Sequence, residues 1–147
     1  IGAGTGLVGQ HLAALGIGPV DGVDISPDML AVAAAKGVYR TLTEADLTQA
    51  QTLPGAPYAG LVSSGTFTLG HLGPEALAPL LDLAAPGGVV ALSVNSVHFD
   101  KAGFAVALAT LAPRYSSLTS DVLPIYGPNA DPTHRNDRAH ILCLILK

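Results

Sequence analysis

Gly2-Ala3-Gly4-Thr5-Gly6, three glycines in five residues, constrains this chain more than any other feature. Glycine reaches positive φ without a Cβ penalty and lets a ligand approach the backbone closely. The pattern LVGQHLAAL follows at once and places Leu7, Val8, Leu12 and Leu15 near one helical face, with Gly16 and Gly18 stopping the helix. A glycine turn that opens a helix presents free amides to an anionic or hydrogen-bond-accepting group.

The segments that follow alternate between strand and helix. Residues 20–25 read as a short strand ending on Asp24, and Ser26-Pro27 supply an N-cap and a first-turn proline for a helix over 29–36, which Gly37 closes. Further strands are predicted over 38–42, 58–64 and 88–95, with a helix over 74–84 opened by Gly73-Pro74. This alternation predicts an α/β fold with a mostly parallel sheet and helices on both faces. The last third differs, with a helix over 101–111 and then strands over 116–123 and 139–146 without a helix between them. Such a connection predicts an antiparallel pair at one edge of the sheet. The polar stretch over 127–138 is expected to be the most mobile connection.

The length of 147 residues fits one domain spanning 1–147. A net charge of −4 without any basic run argues against nucleic acid as a partner. The apolar runs over 87–94 and 141–146 fall short of the ~20 residues that a membrane helix requires, so no membrane partner and a cytoplasmic location are expected. Cys143, the single cysteine, stands in the second run and is expected to be a small core residue. Charged residues make up 12%, against ~25% in ordinary domains. Some apolar surface is therefore expected to meet a partner, a second copy of the chain, or a segment outside this sequence. Because no strand precedes the turn at Ile1, the domain is expected to be N-terminally truncated.

Asp24 lies 20 residues beyond Gly4, at the carboxyl end of the second strand, where a carboxylate accepts hydrogen bonds from ribose hydroxyls. Glycine turn and acidic strand end together point to an adenosine-containing cofactor, although a turn plus a helix-capping Asp24 has the same sequence. Gly4-Thr5-Gly6-Leu7-Val8-Gly9 also satisfies G-x-G-x-x-G, so a nicotinamide dinucleotide stays open at this point. Serine hydrolase, P-loop and dithiol motifs are missing, and His11, His98, His134 and His140 have no paired metal-ligand spacing.

The ordered segments IGAGTGLVGQHLAALG, VDGVDISPDML, EADLTQ and LDLAAPGGVVALSVN resemble the motifs of class I S-adenosylmethionine-dependent methyltransferases. Within that superfamily, SSGTFTLGHLGPEAL is similar to a segment of the proteins like the Williams–Beuren syndrome region methyltransferase. The resemblance implies a Rossmann-like sheet of seven strands with a reversed strand at the antiparallel C-terminal edge. It implies S-adenosyl-L-methionine as cofactor, S-adenosyl-L-homocysteine as product and a small-molecule acceptor. It further implies that the turn of Gly2, Ala3, Gly4 and Gly6 holds the methionine part and Asp24 the ribose. Ile25 and Met29 would border the adenine, Asp46 would accept its amino group, and Leu47 would offer a backbone amide. The family's usual acidic residue just before the position of Ile1 lies outside this sequence.

Methyl transfer requires in-line placement of the acceptor more than covalent catalysis. Residues 64–71, taken to follow the fourth strand, would border the methyl group because ligands of open α/β sheets sit beyond the strands' carboxyl ends. Ser64 and Thr66 are candidates for hydrogen bonds to cofactor or substrate. His71 is the candidate general base, with capping of the next helix as its competing role. Tyr126 and the loop after it are candidates to cover a substrate.

Overall fold

The computed structural model describes residues 1–127 and 131–147. After the glycine turn come α1 (Leu7–Ala14), β1 (Asp21–Asp24), α2 (Pro27–Ala34) and β2 (Thr41–Glu44). There follow β3 (Tyr58–Phe67), a 3-10 turn (Pro74–Ala76), α3 (Leu77–Leu81), β4 (Ala84–Asn95), α4 (Ser96–Ala102) and α5 (Phe104–Leu111). A second 3-10 turn (Ala112–Arg114), β5 (Tyr115–Pro124) and β6 (Arg138–Leu146) complete the fold. No helix among the described residues is long and apolar enough to cross a membrane.

Two hydrogen-bonded sheets form. β1 and β2 pair in parallel, and the second sheet has the order β3-β4-β6-β5. In it β3 and β4 are parallel, while β6 runs antiparallel to both β4 and β5. The helix-free connection before the last strand thus gives the antiparallel edge that the sequence predicts. Six strands are present among the described residues, not seven. Residues 1–3 link the two sheets by backbone hydrogen bonds: the Ile1 nitrogen donates to Val62 O at 2.9 Å and the Ala3 amide to Val23 O at 2.9 Å.

One face of the larger sheet carries the core. Alternation along the strands aims Leu61 and Phe67 of β3, Val90, Leu92 and Val94 of β4, and Leu142, Leu144 and Leu146 of β6 to this face, all buried. They pack with Leu77, Leu80 and Leu81 of α3 and with Phe104 and Leu108 of α5. Full burial of each such side chain contributes roughly 1.5–3 kcal/mol. Phe104 is central, with the rings of Phe67, His98 and Phe99 at 6.0, 5.2 and 5.7 Å. The opposite face is barer: Val89 and Ile145 are exposed, and Ile141 and Cys143 are half-buried. Cys143 is therefore a sheet-face residue and not the core residue expected from its apolar run, because strand alternation sends Leu142 and Leu144 inward instead.

Several element boundaries differ from the sequence reading, each for a local reason. The predicted strand over 38–42 starts at Thr41, since Tyr39 is occupied elsewhere: its hydroxyl accepts the Gly9 amide at 3.1 Å, and its ring lies where a Cβ on Gly22 would go. The helix predicted over 74–84 ends at Leu81, because Ala84 already pairs with Tyr58 in the β4 ladder. The helix predicted over 101–111 is two helices, divided where Gly103 adopts φ 85°. Asn95 opens the first of them by accepting the His98 amide at 3.2 Å. α1 forms as predicted, yet Leu7 and Leu15 of its apolar stripe are exposed, and Gly9 is its buried residue. Of the polar loop over 127–138, residues 128–130 lie outside the described residues.

At the amino ends of the strands, Arg40 forms a two-pronged ion pair with Asp21, its Nε donating to Oδ1 at 2.9 Å and its Nη2 to Oδ2. The Asp21 side chain is 8% exposed and that of Arg40 49%. The hydrogen bond from Arg40 holds the Asp21 pKa down at about 2, against burial, which raises it. A carboxyl whose pKa is depressed by folding stabilises the native state above its unfolded pKa, and this contribution disappears as pH falls through the folded value. Stability is therefore expected to decline as pH drops from about 4 towards 2. In urea titrations over that range, Asp21→Asn is expected to give a flatter profile than the natural chain; parallel profiles would exclude Asp21 as a contributor.

Candidate cofactor site

The site is built at the carboxyl ends of β1 and β2. Gly2, Gly4 and Gly6 all have positive φ, at 62°, 52° and 87°. At Gly2 the requirement is also steric, because a Cβ there would stand 2.0 Å from Thr66 Oγ1. Over Gly4, by contrast, a Cβ would meet only Gly2 O at 4.0 Å, so space is open above the turn. The Gly6 amide closes the turn on Ala3 O at 2.8 Å, and Ala3 is buried beneath it. α1 starts after Gly6 with no side-chain cap; the Tyr39 hydroxyl takes the Gly9 amide, which leaves those of Leu7 and Val8 available to an acceptor.

Asp24 ties this turn to the next helix. Its Oδ2 accepts the Gly4 amide at 2.7 Å and its Oδ1 the Ser26 amide at 3.0 Å. Ser26 in turn accepts the Met29 amide on Oγ at 3.3 Å and caps α2, whose first residue is Pro27. Asp24 thus performs the turn-holding task that its position also permitted. Each carboxylate oxygen keeps a second lone pair for an outside donor such as a hydroxyl.

Beside this network Ile25, just after β1, and Met29, in the first turn of α2, are 66% and 45% exposed. The next acidic residue, Asp46, follows β2. Its Oδ1 accepts both the amide and the hydroxyl of Thr48, at 2.9 and 2.7 Å. The Thr48 hydroxyl and then its amide hold the Asp46 carboxyl below the usual carboxylate range. Leu47 is buried at 6% exposure, which anchors the backbone between Asp46 and Thr48.

The residues assigned to chemistry are less gathered. Ser64 is exposed and lies inside β3, not beyond it, because that strand continues to Phe67. The continuation passes through Gly65 at φ 79°, whose amide donates to Ser93 Oγ at 3.1 Å. Thr66 leans on the glycine turn, with Oγ1 at 3.5 Å from Ile1 O. His71 is exposed in the loop after β3, fixed through its amide to Thr68 O at 3.0 Å, and its ring makes no hydrogen bond to the turn, Asp24 or Asp46. Tyr126 is exposed, with the His134 ring 6.0 Å away.

His98 has a role that sequence reasoning missed. It is buried, and since a carbonyl accepts, its Nε2 donates to Leu72 O at 2.9 Å, which anchors the loop carrying His71 onto α4. The Asn95-x-x-His98 spacing after a strand signals the cap, whereas the long-range bond to Leu72 has no signal in the sequence. His140 stacks on Phe99 at 3.9 Å and bonds Ser120 at 3.1 Å, and His134 bonds Asp137 at 3.0 Å. Among the described residues no cluster of three metal-ligating side chains occurs.

A family model described as a methyltransferase domain matches residues 1–88, which include the turn, Asp24, Asp46 and all of β3. Methyltransferase-like protein 27 of Homo sapiens is 35% identical over 98 residues, 65% of this chain and 39% of that protein. The chain thus corresponds to well under half the length of this relative. Among solved structures, a TehB-like SAM-dependent methyltransferase from Corynebacterium glutamicum has a similar fold, with a TM-score of 0.68 at 18% identity over 99% of this chain and 77% of that one. An rRNA methylase from Streptococcus thermophilus is similar with a TM-score of 0.61 at 20% identity, over 98% and 82% of the two chains. With the family model covering the part of the chain that builds the site, this chain belongs to the methyltransferase domain family.

Proposed function

We propose that this domain binds S-adenosyl-L-methionine and transfers its methyl group to a small-molecule acceptor. The observation that carries the reading is the Gly4–Asp24–Ser26 network with exposed Ile25 and Met29 beside it. The residues fit such a group: the space over Gly4 admits a ligand, the uncapped start of α1 offers amides, and two apolar side chains await a flat partner. When bound, the cofactor supplies an activated methyl group on a sulfonium.

The chain's own residues bind and orient. The turn of Gly2, Ala3, Gly4 and Gly6 faces the methionine part, and Asp24 accepts ribose hydroxyls on its remaining lone pairs. Ile25 and Met29 cover the adenine, and Asp46 with the Leu47 amide reads its edge. Ser64 lies towards the methyl group, and His71 is the candidate to take a proton from the acceptor as its nucleophile attacks. The anchoring of Leu72 by His98 limits how far this loop travels. Held by the turn and Asp24, S-adenosyl-L-methionine would supply the methyl group to the acceptor, with S-adenosyl-L-homocysteine as the product. We further read residues 1–3 as the end of a central strand, which would make the sheet seven-stranded in the order β2-β1-(1–3)-β3-β4-β6-β5. A low net charge of −4 favours a small acceptor over rRNA, and a cytoplasmic enzyme, alone or as a homodimer, accords with this reading.

A nicotinamide-dependent oxidoreductase is the competing reading, because Gly4-Thr5-Gly6-Leu7-Val8-Gly9 and Asp24 also suit a dinucleotide. Calorimetric titrations with S-adenosyl-L-homocysteine and with NADH separate the two. Binding of the former alone is expected, and NADH-selective binding would reverse the assignment. Binding of S-adenosyl-L-homocysteine without turnover of any acceptor would leave a non-catalytic binding domain. In Asp24→Ala the Gly4 and Ser26 amides lose their acceptor, so affinity for S-adenosyl-L-homocysteine is expected to fall with a cost of about 1–3 kcal/mol. Unchanged affinity in that titration removes Asp24 from the site.

A further inference from the structure

The parallel pairing of β3 with β4 is regular from Gly60–Val89 to Ser63–Leu92 and resumes at Phe67–Val94. Between these points Ser64, Gly65 and Thr66 stand opposite Ser93 alone, where a regular ladder sets one residue against one. Such bulges are rare between parallel strands; they bend the strand, re-aim its side chains and are over-represented beside active sites. Gly65 adopts φ 79°, a left-handed conformation that glycine takes without a steric penalty, and a Cβ there would meet nothing within 4 Å. Its amide bonds a side chain, donating to Ser93 Oγ at 3.1 Å.

The bulge lies against the glycine turn. Val62, just before it, accepts the Ile1 nitrogen at 2.9 Å, and Thr66, at its end, has Oγ1 2.0 Å from where a Cβ on Gly2 would stand. Ser64 lies midway between these two contacts and is exposed, so its hydroxyl is open to a ligand. Thr66 is fixed by bonds of its own: its carbonyl accepts the Thr68 and Leu72 amides at 3.1 and 3.3 Å, and Leu72 is held in turn by His98. What aims Ser64 is the bulge itself, and the bulge depends on the bond from the Gly65 amide to Ser93, because a glycine released from that bond reaches both signs of φ.

We propose that Ser93 is a positioning residue for methyl transfer: by holding the Gly65 amide it sets the bulge that turns the Ser64 hydroxyl towards the sulfonium end of the bound cofactor. The inference rests on the methyl-transfer reading. S-adenosyl-L-methionine is positively charged at that sulfur and S-adenosyl-L-homocysteine is not. A hydroxyl oxygen held there interacts more strongly with a cationic group than with a neutral one. Ser93, acting through Gly65 and Ser64, therefore favours the cofactor over its product without touching either.

Two ligands separate this role from a structural one: S-adenosyl-L-homocysteine, and sinefungin, in which an amine on carbon replaces the methyl group on sulfur and supplies a cation at the same point. In Ser93→Ala, sinefungin affinity is expected to fall about 10-fold while that of S-adenosyl-L-homocysteine changes less than about 3-fold, and Ser93→Thr, which keeps the hydroxyl, restores the natural ratio. Exchange of the Gly65 amide in the free protein is expected to quicken in Ser93→Ala and to recover in Ser93→Thr. Equal losses for both ligands, or no loss, would overturn the proposal. Ser64→Ala leaves the Gly65–Ser93 bond in place and is expected to show the same selective loss of sinefungin; an unchanged ratio there overturns the proposal even if Ser93→Ala does not fold. Failure of the natural protein to bind either ligand would instead remove the methyl-transfer reading, and this role with it.

Discussion

The two hydrogen bonds made by residues 1–3, from Ile1 to Val62 and from Ala3 to Val23, hold this molecule's geometry in place. They are the backbone link between the β1-β2 pair and the larger sheet, and the glycine turn is suspended directly from them. Everything placed on β1 and β2, including Asp24, Ser26 and Asp46, takes its position relative to β3 and β4 through this three-residue extension and the side chains packed around it. The core, by contrast, rests on the other sheet, where Phe104 gathers β3, β4, α4 and α5 around a continuous apolar layer.

Asp24 illustrates how one carboxylate ties two segments of backbone together. It is committed to two backbone amides, which fix the glycine turn against the start of α2, and this preorganisation orients its remaining lone pairs before any ligand arrives. The surrounding turn needs positive φ at three positions, and at Gly2 the neighbouring Thr66 forbids a side chain as well. The geometry of the turn therefore depends on backbone shape enforced by side chains outside the glycine motif, among them Thr66 and Asp24.

Much of this was legible in the sequence. Ser26-Pro27 announced the start of α2, and the alternation of Val90, Leu92 and Val94 announced a buried strand, because capping and strand period are local physics. Boundaries failed where distant contacts decided: Tyr39 left strand pairing to bond Gly9, and Ala84 left a helix to pair with Tyr58. Glycine spacing and the acidic strand end selected the turn and Asp24, and the resemblance to class I methyltransferases added Asp46. His98, which holds the loop of His71 through Leu72, was invisible because its partner lies 26 residues away.

By itself the sequence determined the α/β alternation, the glycine turn, the acidic strand end and the reversed C-terminal edge, since each follows from residue chemistry over a few positions. Only the tertiary structure decided that Asp24 bonds Gly4 and Ser26, that Ser64 lies within a strand, and that Cys143 faces outward. Those outcomes depend on which strands meet and in what register, and register is set by side chains packing across the sheet, not by neighbours along the chain.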